Sequence, residues 1–251
     1  MSNLIYIMGK SSSGKDTIYQ KLVERMETNS YVLYTTRPMR DGEQEGREYY
    51  FISNEKYKEL EDEGKVIEAR HYNVINAEGN KDVWTYATID DEQWDKKGDF
   101  ITIGSIESYN SLKEYLAKHP ERNLHLLPIY IQISEEERRV RAIKRENEKA
   151  KPNFEEMERR LKADNIDFSD EKLAEAGITI NDSFENEDLD FCVNEIIRHI
   201  DMEIELRNGQ KFEKLHLMPT KYNIKQREEI RSKEKEILTG IKNKEEDGEE
   251  R

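Results

Sequence analysis

The sequence predicts an α/β fold of three layers, with helices on both faces of a mainly parallel five-stranded sheet. One observation behind this prediction is that short apolar runs, rich in β-formers, alternate with longer segments of helical periodicity. A second is the length, because 251 residues can bury a sizeable core as one domain or as one domain with an appendage.

Five apolar runs are expected to form the sheet, at residues 4–8, 32–34, 100–103, 129–133 and 178–180. Apolar residues at helical spacing predict helices at residues 17–26, 108–118, 135–148 and 154–163. Ligands of parallel α/β sheets bind beyond the carboxyl ends of the strands. A binding site is therefore expected at the loop that follows the first strand.

That loop carries the most informative motif of the chain, GKSSSGK at residues 9–15, which fits the phosphate-binding pattern G-x-x-x-x-G-K. Its glycines let backbone N–H groups point at a phosphate, and Lys15 adds a positive charge. The N-terminus of the next helix faces the same anion. A hydroxyl that holds Mg²⁺ normally follows, but Asp16 stands there and Thr17 comes one place later. The alternative is a Ser/Gly-rich turn that happens to contain a lysine.

Composition excludes several classes of protein. The net charge of −14 disfavours binding to nucleic acid or anionic membranes. No apolar stretch approaches the roughly 18 residues of a membrane span, and the N-terminus does not resemble a signal peptide. The single cysteine, Cys192, excludes disulfides within the chain and is expected to be a core residue on a helix. We therefore expect a cytoplasmic protein.

Two segments depart from the alternating pattern. Residues 35–94 are turn-rich and contain an aromatic cluster, which suggests a small subdomain inserted after the second strand. Residues 204–251 have mixed charge, helical stretches and an acidic end, which is typical of a solvated helix that frays into disorder. An interaction tail is the alternative interpretation of this C-terminal extension.

A first cluster of arginines lies in the inserted segment, in the run TTRPMRDGE at residues 35–43. Arg37 and Arg40 flank a turn, and Tyr49 follows within reach. Guanidinium groups bind phosphate oxygens through two parallel hydrogen bonds, and a tyrosine hydroxyl can complete the site. A solvated basic turn would explain the same residues, so this run alone leaves both interpretations open.

A second cluster lies on two predicted helices that are separated by Pro152. Arg138, Arg141 and Arg145 are spaced by three and four residues and so share one helical face, and Arg160 follows on the second helix. Two such helices could close over a polyphosphate as a lid. The alternative is a pair of surface helices rich in Arg and Glu.

Together these motifs resemble the guanylate kinase family. The resemblance rests on their order: the phosphate loop, TTRxxRxGE at 35–43, GxxY at 46–49, IE at 67–68, YAT at 86–88, the lid arginines, and IND at 180–182. The TTRxxRxGE element is far more specific than the phosphate loop. The implied domain covers residues 1–203, with a core of 1–34, 95–137 and 164–203, an acceptor-binding insert at 35–94 and a lid at about 138–163.

The resemblance implies transfer of a phosphoryl group from ATP, with Mg²⁺, to a nucleoside monophosphate, with GMP or dGMP as the first choice. The residues expected to bind the acceptor are Arg37, Arg40, Tyr49, Glu68, Tyr86 and Thr88, with Glu68 directed at guanine. Those expected to stabilise the transferring group are Lys15, Arg141, Arg145 and Arg160. Those expected to bind ATP are Gly9, Ser11, Ser12, Ser13, Gly14, Lys15, Asp16, Thr17 and, near adenine, Asn181.

The chain also departs from the family pattern. Leu33 replaces a serine that contacts guanine, and Gly104 and Ile106 occupy the positions expected to be acidic after the third strand. We expect Asp16 to take over the binding of Mg²⁺, because a carboxylate is a hard oxygen ligand. Lys-Asp after the loop glycine and Gly-Ser after the third strand instead resemble the ribose 1,5-bisphosphate phosphokinases.

Three functions remain open on the sequence. The first is a nucleoside monophosphate kinase, acting on small nucleotides as a monomer or homodimer without nucleic acid or membrane partners. The second is a kinase of ribose 1,5-bisphosphate or another small phosphate. The third is a binding module that keeps the fold and presents its acceptor pocket to a phosphorylated protein. Because Lys15 and the lid arginines are present, the first is preferred.

Overall fold

Two sheets organise the chain in a computed structural model that describes residues 2–40, 42–75, 80–149 and 152–207. The strands are β1 Ser2–Gly9, β2 Asn29–Ser30, β3 Tyr34–Thr35, β4 Tyr50–Phe51, β5 Val66–Ile75, β6 Lys81–Ile89, β7 Phe100–Ile103, β8 Leu124–Gln132 and β9 Ser183–Glu185. The helices are α1 Lys15–Met26, α2 Asn54–Asp62, α3 Ile106–Lys118, α4 Glu135–Asn147, α5 Phe154–Asp167, α6 Asp170–Glu175 and α7 Leu189–Arg207.

The larger sheet has five strands in the order β2-β7-β1-β8-β9 and is mainly parallel, which confirms the predicted α/β class. Its central strand is apolar because it is enclosed, and every residue from Asn3 to Gly9 is buried. The smaller sheet has four strands in the order β4-β3-β6-β5. It lies at residues 34–89 and so begins one residue before the range of 35–94 that the sequence assigns to an insert.

Contacts divide the chain into two compact units. The first contains residues 2–6 and 27–126, and the smaller sheet packs there on Tyr57 and Leu60 of α2. The second contains residues 7–26 and the described residues from 127 onward. In it α1 packs against α7, and α4 against α5 through Ala142, Met157 and Leu161.

Two predicted strands are wrong in position. Residues 32–34 were expected as one strand, but β2 ends at Ser30 and β3 begins at Tyr34. Tyr31, Val32 and Leu33 are buried between them, so their apolar character reflects burial of a connecting segment. Residues 178–180 also form no strand. A 3₁₀ turn covers Ile180–Asp182, and the edge strand β9 comes directly after it.

Three helices extend beyond the predicted bounds of the lid and of the core. Helix α4 begins at Glu135, before residue 138, and α5 ends at Asp167, after residue 163. Helix α7 continues to Arg207 and so crosses the predicted boundary at residue 203. It buries Cys192, as expected for a core residue. The rest of the C-terminal extension, residues 208–251, lies outside the described residues.

Among the described residues, no helix combines the length and apolar character needed to cross a membrane.

Candidate active site

The phosphate loop joins Gly9, the last residue of β1, to Lys15, the first residue of α1. Gly9 leaves no space for a side chain, because a Cβ would lie 2.6 Å from the carbonyl oxygen of Ile131. Gly14 has a φ of +91°, and a Cβ there would lie 2.2 Å from Nδ2 of Asn186. Both glycines are therefore required by close approach, and Gly14 also by its backbone conformation.

The serines of the loop lead directly into the first turn of α1. Ser12 has a positive φ of 65°, an uncommon conformation for a residue other than glycine. Lys15 is half-buried, whereas Asp16 and Thr17 are exposed. The first N–H groups of a helix have no partner within the helix and attract negative charge. This arrangement is chemically suited to the phosphates of a nucleotide.

The phosphate loop is held from the other side by α4 and α5. The backbone N–H of Ser11 donates to Asp164 Oδ2 at 2.9 Å, and the Lys10 ammonium lies 2.9 Å from both Glu135 and Asn165. Arg138 joins these acceptors, donating to Glu135, Asp164 and Asn165 while only 1% exposed. The buried guanidinium of Arg138 thus connects the residues of α4 and α5 that contact the phosphate loop.

The predicted lid arginines fall into different environments. Arg138 is buried among its hydrogen-bond partners, so it does not share an open face of α4 with Arg141 and Arg145 as expected. Arg141 donates to the backbone oxygen of Asn186 at 3.0 Å and to Glu137 at 3.1 Å. Arg145 and Arg160 are exposed, and Arg160 lies 3.3 Å from Glu156. Arg141 lies close to the phosphate loop, because its Nη1 would be 3.5 Å from a Cβ at Gly14.

An asparagine that the sequence did not single out contacts the phosphate loop. Asn186 follows β9, is 3% exposed, and donates from Nδ2 to the carbonyl oxygen of Ser13 at 2.8 Å. The predicted Asn181 lies in the turn before β9 and is exposed. Because β9 pairs in parallel with β8, Asn186 is at the end of the strand where ligands bind. The signal was a second asparagine closely followed by an aspartate, in Asn-Glu-Asp at residues 186–188.

A cavity of about 360 Å³ lies beside the phosphate loop in the second unit. Lys10, Ser13, Tyr130 and Phe168 line it, together with Thr179 and Ile180, the neighbours of Asn181. The Ser13 hydroxyl is buried and has no hydrogen-bond partner among the described residues. The volume falls in the range of small-molecule pockets.

The predicted acceptor residues meet in the first unit. Arg37 is 3% exposed, donates from Nε to the Tyr86 hydroxyl at 3.1 Å, and forms two hydrogen bonds of 2.7 and 2.6 Å to Glu43. Its guanidinium also lies 5.2 Å from the centre of the Tyr49 ring. Burial alone would lower the pKa of Arg37, but the hydrogen bonds to Glu43 raise it, so the side chain stays charged.

Arg40 is at the open end of this group. Its backbone N–H donates to Glu43 at 2.8 Å, while its side chain is exposed, so it is available for a ligand. Tyr49 and Tyr86 pack edge to face, with ring centres 5.4 Å apart. Asp41, within the same motif, lies outside the described residues. The structure therefore brings Arg37, Tyr49 and Tyr86 together and leaves Arg40 at the edge.

Glu68 lies on β5 with a buried carboxylate. Its Oε1 accepts hydrogen bonds of 2.7 Å from the hydroxyls of Thr88 and Ser108. Its Oε2 lies 3.3 Å from Nε of Arg70, which the sequence did not select. The predicted pair of Glu68 and Thr88 is thus in direct contact.

The position of the missing acid is already filled. A Cβ at Gly104 would lie 1.8 Å from the hydroxyl of Tyr6, so no side chain fits there. Ile106, the other expected acidic position, is a buried residue at the start of α3. Ser105 caps α3 by accepting from the Ser108 N–H, which leaves exposed Glu107 as the carboxylate of this segment.

Within the described part of the chain, no group of three or more His, Cys, Asp or Glu side chains could hold a metal ion. Mg²⁺ in phosphoryl transfer is usually held by one or two carboxylates, with substrate phosphates and waters. The exposed carboxylate of Asp16, on the first turn of α1, fits that mode of binding.

The Guanylate kinase family model matches residues 1–195. A guanylate kinase of Legionella pneumophila (strain Lens) is 41% identical over 75 residues, which are 30% of this chain and 35% of that protein. One of Aromatoleum aromaticum is 42% identical over 66 residues, 26% of this chain and 32% of its own length. The chain thus matches about a third of the length of these relatives.

Two other matches are longer. A guanylate kinase of Prochlorococcus marinus is 29% identical over 202 residues, which cover 80% of this chain and 97% of that protein. The crystal structure of guanylate kinase from Anaplasma phagocytophilum matches with a TM-score of 0.52 and 21% identity, over 83% of this chain and 93% of that chain, which supports the fold. Since the family model matches well over half of the residues, this chain belongs to the guanylate kinase family.

Proposed function

We propose that this protein is a nucleoside monophosphate kinase that transfers the γ-phosphoryl group of ATP to GMP or dGMP. The observation that carries the proposal is one face of the β5–β6 pair. Glu68 and Thr88 face each other across the two strands, and Tyr86, two residues before Thr88, holds Arg37. A base-binding carboxylate and a phosphate-binding arginine are therefore spaced along one surface, as a nucleoside monophosphate requires.

In this proposal the acceptor phosphate is bound by Arg37, Tyr49 and Tyr86, with Arg40 closing the site. Glu68 accepts hydrogen bonds from guanine. An ionised phosphate needs no general base, so catalysis consists of positioning and charge stabilisation. Arg37 is preorganised by Glu43, because two hydrogen bonds hold the plane of its guanidinium.

The donor nucleotide is assigned to the phosphate loop, with backbone N–H groups of residues 12 and 14–17 around its phosphates, because those of Ser11 and Ser13 already donate to Asp164 and to the carbonyl oxygen of Lys10. Lys15 and Arg141 stabilise the transferring group, and Arg145 and Arg160 join them if α4 and α5 close on ATP. Asn181 stays the predicted adenine contact, and we add Asn186 because it orients the loop. Mg²⁺, held by Asp16, would supply charge neutralisation to the phosphates.

The setting of the reaction is also a proposal. We place the protein in the cytoplasm, as a monomer or homodimer without nucleic acid or membrane partners. The buried thiol of Cys192 and the negative net charge support this placement. Light scattering on a sizing column tests the oligomeric state.

The experiment is a coupled assay of ATP consumption with GMP, dGMP, AMP, UMP, CMP, dTMP and ribose 1,5-bisphosphate as acceptors. The proposal expects turnover with GMP and dGMP well above the other nucleotides. Turnover confined to the sugar bisphosphate would replace it with the second function. If no acceptor is used but GMP still binds in calorimetry, the binding module is the better description.

A further inference from the structure

Arg70 lies between the two ends of the proposed acceptor site. In the antiparallel pair of β5 and β6, Glu68 is opposite Thr88 and Arg70 is opposite Tyr86. Side chains two residues apart on a strand point to the same face. Arg70 is therefore next to the carboxylate expected to read the base and across from the tyrosine that holds Arg37.

The acceptor capacity of Glu68 is only partly used by the protein. A carboxylate offers about four acceptor positions. Two hydroxyls occupy Oε1, from Thr88 and Ser108, and Arg70 lies at Oε2. The side chain of Glu68 is 6% exposed, so a ligand that reaches its remaining position meets a desolvated and oriented acceptor.

Arg70 has donors to spare. Of its five N–H groups, one donates from Nη1 to the Ser105 hydroxyl at 3.3 Å. Its buried Nε has no hydrogen-bond partner among the described residues, although Glu68 Oε2 lies 3.3 Å away. The side chain is 16% exposed, so a ligand can reach part of it.

Two described positions that the family pattern directs at the base or the metal carry no polar side chain. Leu33 offers no hydroxyl, and Gly104 has no space for a side chain beside Tyr6. Guanine presents a keto oxygen at C6 next to the N1–H and the 2-amino group, and arginine is a common donor to that oxygen where proteins read guanine in DNA. An adjacent donor and acceptor in the protein would match this edge.

We propose that Arg70 is a specificity-determining residue, whose guanidinium donates to the keto oxygen of guanine while Glu68 accepts from N1–H and the 2-amino group. This inference rests on the proposed function of the site. Adenine carries an amino group in place of the keto oxygen, so the guanidinium of Arg70 would face another hydrogen-bond donor. Binding of adenine would then leave desolvated polar groups unpaired, which lowers its affinity relative to guanine.

The test compares GMP with two analogues in the full-length protein. In 6-thio-GMP the keto oxygen is replaced by sulfur, a weak acceptor, and in IMP the 2-amino group is missing. For the wild type we expect kcat/KM to be about 10- to 100-fold higher for GMP than for 6-thio-GMP. In Arg70→Gln that ratio should fall close to one, while the ratio between GMP and IMP is kept.

Arg70→Lys and Glu68→Gln complete the series. Lysine keeps the charge beside Glu68 but not the planar donors, so its preference for GMP over 6-thio-GMP should be intermediate. Glu68→Gln should change the ratio between GMP and IMP. Arg122→Gln is the matched control, because Arg122 is also an ion-paired arginine of the first unit, bound to Asp90, and both ratios should stay at wild-type values.

Two outcomes would overturn the inference. One is an unchanged preference for GMP over 6-thio-GMP in folded Arg70→Gln and Arg70→Lys. The other is a parallel change of both ratios, which would mean that Arg70 acts only by holding Glu68. Dissociation constants from calorimetry give the same ratios without turnover. A wild type that binds GMP selectively but does not phosphorylate it would contradict the proposed function. The binding ratios of the Arg70 variants would still test the inference in that case.

Discussion

The side-chain amide of Asn186 donates a hydrogen bond of 2.8 Å to the carbonyl oxygen of Ser13 and so ties the segment after β9 to the phosphate loop. The same nitrogen occupies the space beside Gly14, where a Cβ would approach it to 2.2 Å. The backbone oxygen of Asn186 accepts from Arg141. One asparagine therefore connects a loop glycine and a lid arginine within the second unit.

Gly14→Ala should destabilise the phosphate loop through a steric clash as well as through backbone strain. The alanine would have to adopt a φ of +91°, and its Cβ would displace Asn186. We therefore expect a loss of unfolding free energy of about 1 to 3 kcal/mol and a higher KM for ATP. Urea denaturation and ATP titration measure the two effects. Gly64→Ala is the control, because its φ is +71° and no atom lies within 4 Å of its Cβ. Equal losses in both variants would contradict a role for the contact with Asn186.

Lys15→Met should leave the fold intact and remove most of the activity. The lysine is the point charge of the phosphate loop, and loss of one such stabilising group lowers kcat by about 100-fold or more. Steady-state kinetics with saturating ATP and GMP test this. Lys21→Met, on the same helix and paired with Asp190, should retain wild-type kinetics. Wild-type turnover by Lys15→Met would exclude the loop as the site of ATP phosphates.

Asp16→Thr tests whether the exposed carboxylate on α1 contributes to metal binding. If it does, the variant should need a different Mg²⁺ concentration for half-maximal activity, because a carboxylate ligand is replaced by a hydroxyl. Mg²⁺ titrations at fixed ATP compare it with Glu24→Gln, which removes another exposed carboxylate of the same helix. The role proposed for Asp16 is abandoned if activity and Mg²⁺ dependence match the wild type.

Glu43 should give the protein a pH-dependent contribution to stability. Hydrogen bonds from Arg37 lower the pKa of Glu43 below its ordinary value of 4.5. The folded state therefore binds the proton less readily than the unfolded state, and the stabilisation is present above pH 4.5 and lost as the pH falls through the folded value. Urea midpoints of wild type and Glu43→Gln should differ at pH 7 and converge in acid. A constant difference across the range would show that ionisation of Glu43 is not the cause.

Local patterns were sufficient where the chemistry is contained in a short stretch of chain. The phosphate loop has the predicted strand before it and the predicted helix after it, and the run at residues 35–43 does hold Arg37 beside Glu43. In both cases one motif positions its own side chains. Glu68 and Thr88 belong to two motifs and were selected through the resemblance, and strand pairing brings them into contact.

Prediction was weaker where contacts join distant parts of the chain. Arg138 was placed with the ligand-facing arginines, yet partners on α5 enclose it. Asn181 was chosen through the resemblance of residues 180–182 to the family pattern. The strand expected at residues 178–180 instead forms at Ser183–Glu185, where it pairs with β8, so Asn186 follows the end of that strand. The periodicity of the sequence cannot detect this shift of five residues in the start of an edge strand, because a buried turn and a buried strand are both apolar.

The sequence by itself determined the class of fold, the phosphate loop and the family, because these depend on periodicity and on motifs that are continuous along the chain. Only the tertiary structure decided that Asn186 orients the loop, that Tyr6 fills the space of an acid at Gly104, and that Arg70 stands beside Glu68. The physical reason is that hydrogen bonds, steric exclusion and ion pairing act over a few ångströms in space, and only strand pairing and helix packing bring such residues together.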